Sequence, residues 1–129
     1  MISRVWHGWT SKDDADEYEG MLRTDILPGI HRVEGFLGAY VLRRSVGNEV
    51  EFITITQFTD MQAVKNFAGE DYTLAVIHPR AQRVLVRFDE RSVHYETVLT
   101  PEEMTEKMRA AGLKPAARIA PPGLEPGLS

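Results

Sequence analysis

The segment from Gly35 to Phe58 leaves the chain little freedom. Two strand-like runs, GFLGAYVLRRS and EVEFITITQF, flank the dipeptide Gly47-Asn48. A two-residue loop that begins with glycine is the chemistry of a type II′ hairpin turn, because glycine takes a positive φ without a Cβ clash. A turn there pairs Val46 with Glu49. The antiparallel register then sets Arg44 opposite Glu51, Leu42 opposite Ile53 and Tyr40 opposite Ile55. Opposite charges meet and apolar groups meet, which is what a correct register delivers. The other face aligns Val41 with Thr54, Ala39 with Thr56 and Leu37 with Phe58. Its small and hydroxylated side chains leave room above the sheet.

The rest of the chain supplies elements for that hairpin to pack with. Ile2 to Trp9 reads as a strand, with Ile2, Arg4, Trp6 and Gly8 on one face and Ser3, Val5, His7 and Trp9 on the other. Each face holds a tryptophan, so both are expected to be covered. Ser11 and Asp14 read as a helix start, Ala15, Tyr18, Leu22 and Ile26 recur at helical spacing, and Pro28-Gly29 is expected to end the helix. After the hairpin, Thr59 or Asp60 caps a short helix through Ala63, Val64 and Phe67. The stretch FAGEDYTLAVIHPRAQ interrupts it, and Pro79 opens a second helix whose apolar positions are Ala81, Val84, Leu85 and Phe88. SVHYETVL, residues 92–99, alternates as a fourth strand.

This order, βαββαβ, predicts an α+β, ferredoxin-like fold: a four-stranded antiparallel sheet with helices on one face. The other face needs a cover, and a short chain leaves a second copy of itself as the obvious one. The domain is expected over residues 1–99. Residues 100–129 form a C-terminal helix, opened by the capping box Thr100-Pro101-Glu102-Glu103, and a proline-rich arm.

Composition excludes several classes of function. A net charge of −4, with basic residues dispersed, argues against nucleic acid and against anionic lipid surfaces. The absence of cysteine removes disulfides, thiol nucleophiles, iron–sulfur clusters and thiolate zinc sites. No run approaches the roughly 20 apolar residues of a membrane span. A soluble, cytoplasmic protein is the expectation. No phosphate loop, serine elbow or nucleotide fingerprint is present.

The passages VWHGWTSKDDADEYEGML, DILPGI with GFLGAYVLRR, EVEFITITQFTDMQAVKNFAGEDY and FDERSVHYETV carry a pattern over about residues 2 to 98. This pattern resembles the antibiotic biosynthesis monooxygenase family of dimeric α/β barrels. The resemblance implies a homodimer whose two sheets close an eight-stranded barrel, and a cavity in each subunit between the sheet and its own helices. Some members of that family oxidise phenolic or hydroquinone substrates with O₂ and no metal or flavin; others bind and degrade haem.

The expected activity is therefore cofactor-free oxygenation of a small aromatic molecule. The alternative is a non-enzymatic dimer that binds a small ligand or serves in a stress response. Such oxygenation needs an apolar pocket and groups that hold a substrate anion. The passage between the helices borders the family's cavity, so Tyr72 and His78 are the expected catalytic residues. Phe58, Tyr40, Trp6, His7, Phe67 and Arg80 are the expected substrate contacts. The bland reading of Tyr72 is a packed ring, that of His78 a helix cap beside Pro79, and that of His7 a satisfied core group. Two departures matter. Phe58 stands where characterised members commonly have tryptophan. The first strand also lacks the asparagine of haem degraders, which disfavours haem chemistry. His7, His94 and Glu96 form only a weak metal pattern, and no metal is expected.

Overall fold

The structure, a computed structural model, describes residues 1–114. The proline-rich arm expected from Pro115 onward lies outside the described residues. The chain separates into two compact units, Met1–Thr97 and Val98–Ser129.

The first unit is built on a five-stranded antiparallel sheet. Its strands are β1 (Ile2–Ser11), β2 (Phe36–Val46), β3 (Glu49–Phe58), β4 (Leu85–Phe88) and β5 (Val93–Glu96). The order is β2-β3-β1-β4, and β5 also pairs with β1. Both short strands therefore line one edge of β1, β4 beside Gly8 to Thr10 and β5 beside Ile2 to Val5. The ferredoxin-like order holds, with the fourth strand delivered in two pieces.

The hairpin forms in the expected register from Val46–Glu49 to Ala39–Thr56. Gly47 has φ +58° and Asn48 has no positive φ, as a type II′ turn requires. The register then shifts: Gln57 faces Gly38, and Phe58 faces Phe36 rather than Leu37. A bulge at the strand start removes Leu37 from the pairing and leaves it exposed.

Alternation divides the sheet into two faces. Arg4, Trp6, Gly8 and Thr10 of β1 face the helices together with Val50, Phe52, Thr54, Thr56 and Phe58 of β3. His7, Glu51, Ile53, Ile55, Tyr40 and Leu42 lie on the opposite face. Two core clusters fill the helix side. One joins Tyr18 and Met21 to Phe52 and Val84, with the Tyr18 and Phe52 rings edge-to-face at 4.9 Å. The other centres on Phe58, Ala63 and Val64, with Phe36 and Phe67 flanking the Phe58 ring. Gly35 enters this second cluster at φ +90°, where a Cβ would lie 2.5 Å from that of Ala63.

The helices depart from expectation in three places. First, the Ser11 hydroxyl accepts from Asp14 N at 3.2 Å, so it caps a turn and α1 (Ala15–Met21) starts later. Second, Pro28-Gly29 does not end the helical run. A π-helical turn, Leu22–Ile26, leads into a short α2 (Leu27–Gly29) and a 3-10 turn, Ile30–Arg32. Pro28 is accommodated directly after the π-helical turn, and His31 lies in the 3-10 turn. Third, the helix opened by Pro79 is only α4 (Pro79–Gln82), and Leu85 to Phe88 form β4. Pairing with the free edge of β1 outweighs the helical spacing of those apolar residues.

The helix α3 (Met61–Ala68) is capped as expected, Asp60 Oδ1 accepting from Ala63 N at 2.9 Å. In the second unit, α5 (Pro101–Ala110) begins at Thr100, whose hydroxyl accepts from Glu103 N at 3.1 Å. No helix among the described residues is long and apolar enough to cross a membrane.

Candidate functional site

A cavity lies between the helix face of the sheet and the helical segments of the first unit. Its floor is Arg4 and Trp6 of β1 with Thr54 and Thr56 of β3. The register explains the grouping, since Trp6 opposes Thr54 and Arg4 opposes Thr56. Small side chains on β3 leave the space that large ones on β1 partly fill. The roof comes from α1 and the turns after it, with Phe67 of α3 and His78 at the start of α4. The π-helical turn places Leu22 and Ile26 on this wall; such turns recur at functional sites.

The cavity has a volume of about 60 Å³ and continues into solvent. This is less than the ~150 Å³ of an apolar cavity that takes benzene. A bound aromatic molecule therefore extends through the opening or displaces the lining. A second hollow of about 290 Å³, lined by Glu19, Arg23, Leu27, Ala39, Val41 and Arg43, lies beside it, and Leu27 borders both.

Trp6 is fixed on two sides. Its indole N–H donates to Asp89 O at 2.7 Å, and its ring overlies Gly8, where a Cβ would approach the ring to 2.9 Å. Arg4 is 4% exposed. Its guanidinium donates to the carbonyls of Tyr72 and Leu74 and to His94 Nε2, and it stands 5.6 Å from the centre of the Phe67 ring. Burial lowers the Arg4 pKa to about 10, so it is still a cation at neutral pH. Burial and the charge of Arg4 lower the pKa of His94, which is neutral at neutral pH and accepts from Arg4. Tyr18 also lines the cavity, and burial raises its phenol well above the ordinary range, so it stays protonated.

Of the residues expected from the sequence, Trp6, Phe67 and His78 meet at this cavity. His78 is exposed at its rim, with extended backbone (φ −60°, ψ 138°). Its Nδ1 accepts from Arg80 N at 3.1 Å, so it is also the helix cap of the bland reading. An accepting Nδ1 is unprotonated, and the neutral ring then carries its proton on Nε2.

The others lie elsewhere. Tyr72 is half-buried beside the Phe58 cluster, edge-on to the His94 ring at 5.4 Å, and reaches the cavity only through its carbonyl, which receives Arg4. Phe58 faces the helices, yet it is fully buried beneath Phe36 and Phe67 rather than on the cavity wall. His7 and Tyr40 lie on the opposite sheet face, because alternation from Arg4 and Trp6 turns them away. His7 Nδ1 there lies 3.0 Å from Glu51 Oε2, and Arg44 binds the other carboxylate oxygen at 2.6 Å. These two partners, Arg44 first, hold the Glu51 carboxyl below its usual range. Arg80 pairs with Asp25 at 2.9 Å on the surface. His94 and His7 are on opposite faces of the sheet, so the weak metal pattern does not assemble. Among the described residues, no cluster of three or more His, Cys, Asp or Glu side chains could hold a metal ion.

Sequence reasoning missed Arg4, Tyr18, Thr54 and Thr56 as a group. The available signal was the charged Arg4 on the same strand face as Trp6, opposite a hairpin face of small hydroxylated residues.

Fold and cavity together define an α+β protein with a ferredoxin-like sheet and a small site, open to solvent, under its helices. The family model for antibiotic biosynthesis monooxygenase matches residues 1–78. The chain belongs to that family. Solved structures agree in fold. A Bacillus cereus protein assigned as an antibiotic biosynthesis monooxygenase superposes with a TM-score of 0.54 at 15% identity, over 77% of this chain and 94% of its own. The haem degrader MhuD of Mycobacterium tuberculosis, with two haems bound in its active site, gives 0.53 at 17% identity, over 78% and 98%. A mutant of MhuD, with two manganese protoporphyrins IX per active site, gives 0.55 at 18% identity, over 78% and 97%. A search of curated proteins finds no match.

Proposed function

We propose that the protein binds a small aromatic, phenolic molecule in the cavity above Trp6 and oxidises it with O₂, without a prosthetic group. The observation that carries this reading is the convergence of Trp6, Phe67 and His78 on one apolar hollow that also holds the hydroxyls of Thr54 and Thr56. Aromatic walls with few polar groups suit a planar ring and fix its orientation.

The substrate supplies the electrons. A phenol with a free para position becomes a quinone, one oxygen of O₂ entering as the new carbonyl and the other leaving as water. The ring must first be ionised, because phenolate gives up electrons far more readily than phenol. With Nδ1 engaged by Arg80 N, His78 meets the substrate through Nε2–H. His78 therefore holds the substrate oxygen rather than removing its proton, which passes to water at the open rim. Tyr72 supports the site from behind, through the carbonyl that orients Arg4.

Oxygen uptake with a panel of phenols and 1-naphthols that have a free para position tests this reading. His78→Asn preserves a cap-forming side chain. Its expected effect is a clear loss of O₂ uptake with little change in stability. Unchanged uptake in His78→Asn, across every active substrate, rejects the site. Tyr72→Phe keeps the carbonyl that orients Arg4 and is expected to leave uptake unchanged. Binding of the same molecules without uptake would favour the non-enzymatic reading.

Haem fits poorly. A porphyrin would have to displace far more of the lining of a hollow of about 60 Å³ than a single ring, and β1 carries no asparagine. Titration with haem is expected to give no shifted Soret band. We also propose a homodimer formed through the opposite sheet face, where Tyr40, Leu42, Val93 and Tyr95 are exposed side chains. Large apolar side chains exposed on both outer strands of one sheet face suit a partner surface.

A further inference from the structure

Arg4 is a cation in an unusual setting. It is 4% exposed and lines the cavity, yet its recorded partners are two backbone carbonyls and a neutral imidazole. The arginines that make ion pairs, Arg23, Arg43, Arg44, Arg80, Arg87, Arg91 and Arg109, do so nearer the surface. Arg4 makes none among the described residues. No Asp or Glu lines the cavity either, in a chain where acids outnumber Lys and Arg by 19 to 15.

A buried charge without a counter-charge is costly unless something else compensates it. Carbonyl dipoles do part of this. The hydrogen bonds recorded use three of the five guanidinium N–H groups. None of its nitrogens is both buried and unpartnered. The surrounding groups do not cancel the charge. His94 is uncharged, Tyr18 stays protonated, Thr54 and Thr56 are neutral, and Lys65 Nζ adds a second cation 5.8 Å from the Tyr72 ring.

We propose that the cavity is an anion site, in which Arg4 receives a phenolate or carboxylate oxygen of an aromatic ligand whose ring lies against Trp6 and Phe67. This deepens the reading of the cavity as the ligand site and rests on it. For a phenolic ligand, the fixed positive charge favours the ionised form, which is the form that reacts with O₂, so the site needs no strong base. For an aromatic acid, the same group selects the carboxylate over its neutral analogues. Charge-assisted hydrogen bonds to guanidinium are the strong class, and both oxygens are good acceptors.

The test uses three probes, benzoate, benzamide and 4-nitrophenol, with the purified full chain. Binding is followed by the NMR shift of the Trp6 indole N–H, and nitrophenol ionisation by its visible band. Benzoate is expected to bind at least about tenfold tighter than benzamide, the ratio one charge-assisted hydrogen bond supplies, or bound nitrophenol to ionise at lower pH than the free molecule. Arg4→Met is expected to abolish either effect while benzamide binding persists, and Arg4→Lys to restore part of it. A benzoate preference alone assigns the carboxylate, and a nitrophenol shift alone assigns the phenolate. Equal binding of benzoate and benzamide, with no nitrophenol shift, overturns the anion site and leaves the cavity reading intact. Binding of none of the probes removes both. An effect that survives in Arg4→Met also overturns the proposal. Should Arg4→Met fail to fold, the comparison of probes in the native chain decides alone.

Discussion

Arg4 and His94 are direct partners across the β1–β5 ladder, and the guanidinium lies 3.0 Å from the imidazole Nε2. A base held against a cation resists protonation. The pKa of His94 is therefore lower in the folded chain than in the unfolded one. Below the unfolded value of about 6.5 the unfolded chain binds more protons, so stability falls as pH drops and levels off below the folded value. His94→Gln keeps a carbonyl acceptor for Arg4 and removes this titration. Its melting temperature is expected to fall less than that of the native chain between about pH 7.5 and 5.5. The Glu51 carboxyl is held below its ordinary range by Arg44 and His7, and adds its own loss of stability only as pH falls below the ordinary carboxylate range. Equal losses in the two proteins would mean that His94 does not carry the effect.

Gly35 is where the backbone and the second core cluster compete for space. At φ +90° a side chain is strained, and its Cβ would meet Ala63 Cβ at 2.5 Å and Thr59 Oγ1 at 2.7 Å. Gly35→Ala is expected to cost about 2–4 kcal/mol, combining left-handed strain with overpacking. Urea denaturation measures this directly, and a change below about 0.5 kcal/mol would contradict the packing described.

Phe58 is fully buried between Phe36 at 5.7 Å and Phe67 at 5.6 Å, ring centre to ring centre. Restoring the tryptophan common in the family does not simply supply a cavity wall here. Phe58→Trp is expected to destabilise by about 1–3 kcal/mol, the usual result of overfilling a packed site. A neutral or stabilising effect, read from the same denaturation curves, would show that spare room exists beneath Phe67.

Leu42 is 49% exposed on the apolar face of the sheet, where Tyr95 of β5 is 56% exposed. If this face joins two copies, Leu42→Glu places a charge inside the interface. Sedimentation velocity is then expected to show a dimer for the native chain and a monomer for the variant. A native chain that sediments as a monomer at high micromolar concentration would reject the dimer.

Asp60 sets the start of α3 and hence the position of Phe67 over the cavity. Asp60→Ala is expected to cost about 1 kcal/mol through the lost cap and to weaken binding of the aromatic probes. Thermal melts and the Trp6 resonance read the two effects separately. Loss of stability without any change in binding would detach α3 from the site.

The hairpin was legible because turn chemistry and cross-strand pairing reinforce each other within a short span. Only its far end escaped, where the bulge at Leu37 depends on the geometry of Gly38 (φ +152°) and not on any side-chain pattern. The piece at Leu85 to Phe88 was illegible for another reason. Its spacing after Pro79 is helical, and the partner that makes it a strand lies at the opposite end of the chain. For the site, His78 and Phe67 were visible beside the proline break and on the helix stripe. Arg4 was not, because a tryptophan on each face of β1 conceals which side the helices cover. The placement of Tyr72 depends on a carbonyl, which carries no mark in sequence.

The π-helical turn at Leu22–Ile26 bears on how this wall was made. Such a turn amounts to one extra residue in an otherwise α-helical run, and each residue advances an α-helix by about 100°. The widened turn absorbs that residue, so the positions after it keep the face they would have in an unbroken α-helix one residue shorter. Leu27, which borders both hollows, and Ile30, which lines the first, therefore stay on the wall despite the insertion. The wall between the two hollows carries one residue more than a plain α-helix would need to present the same face.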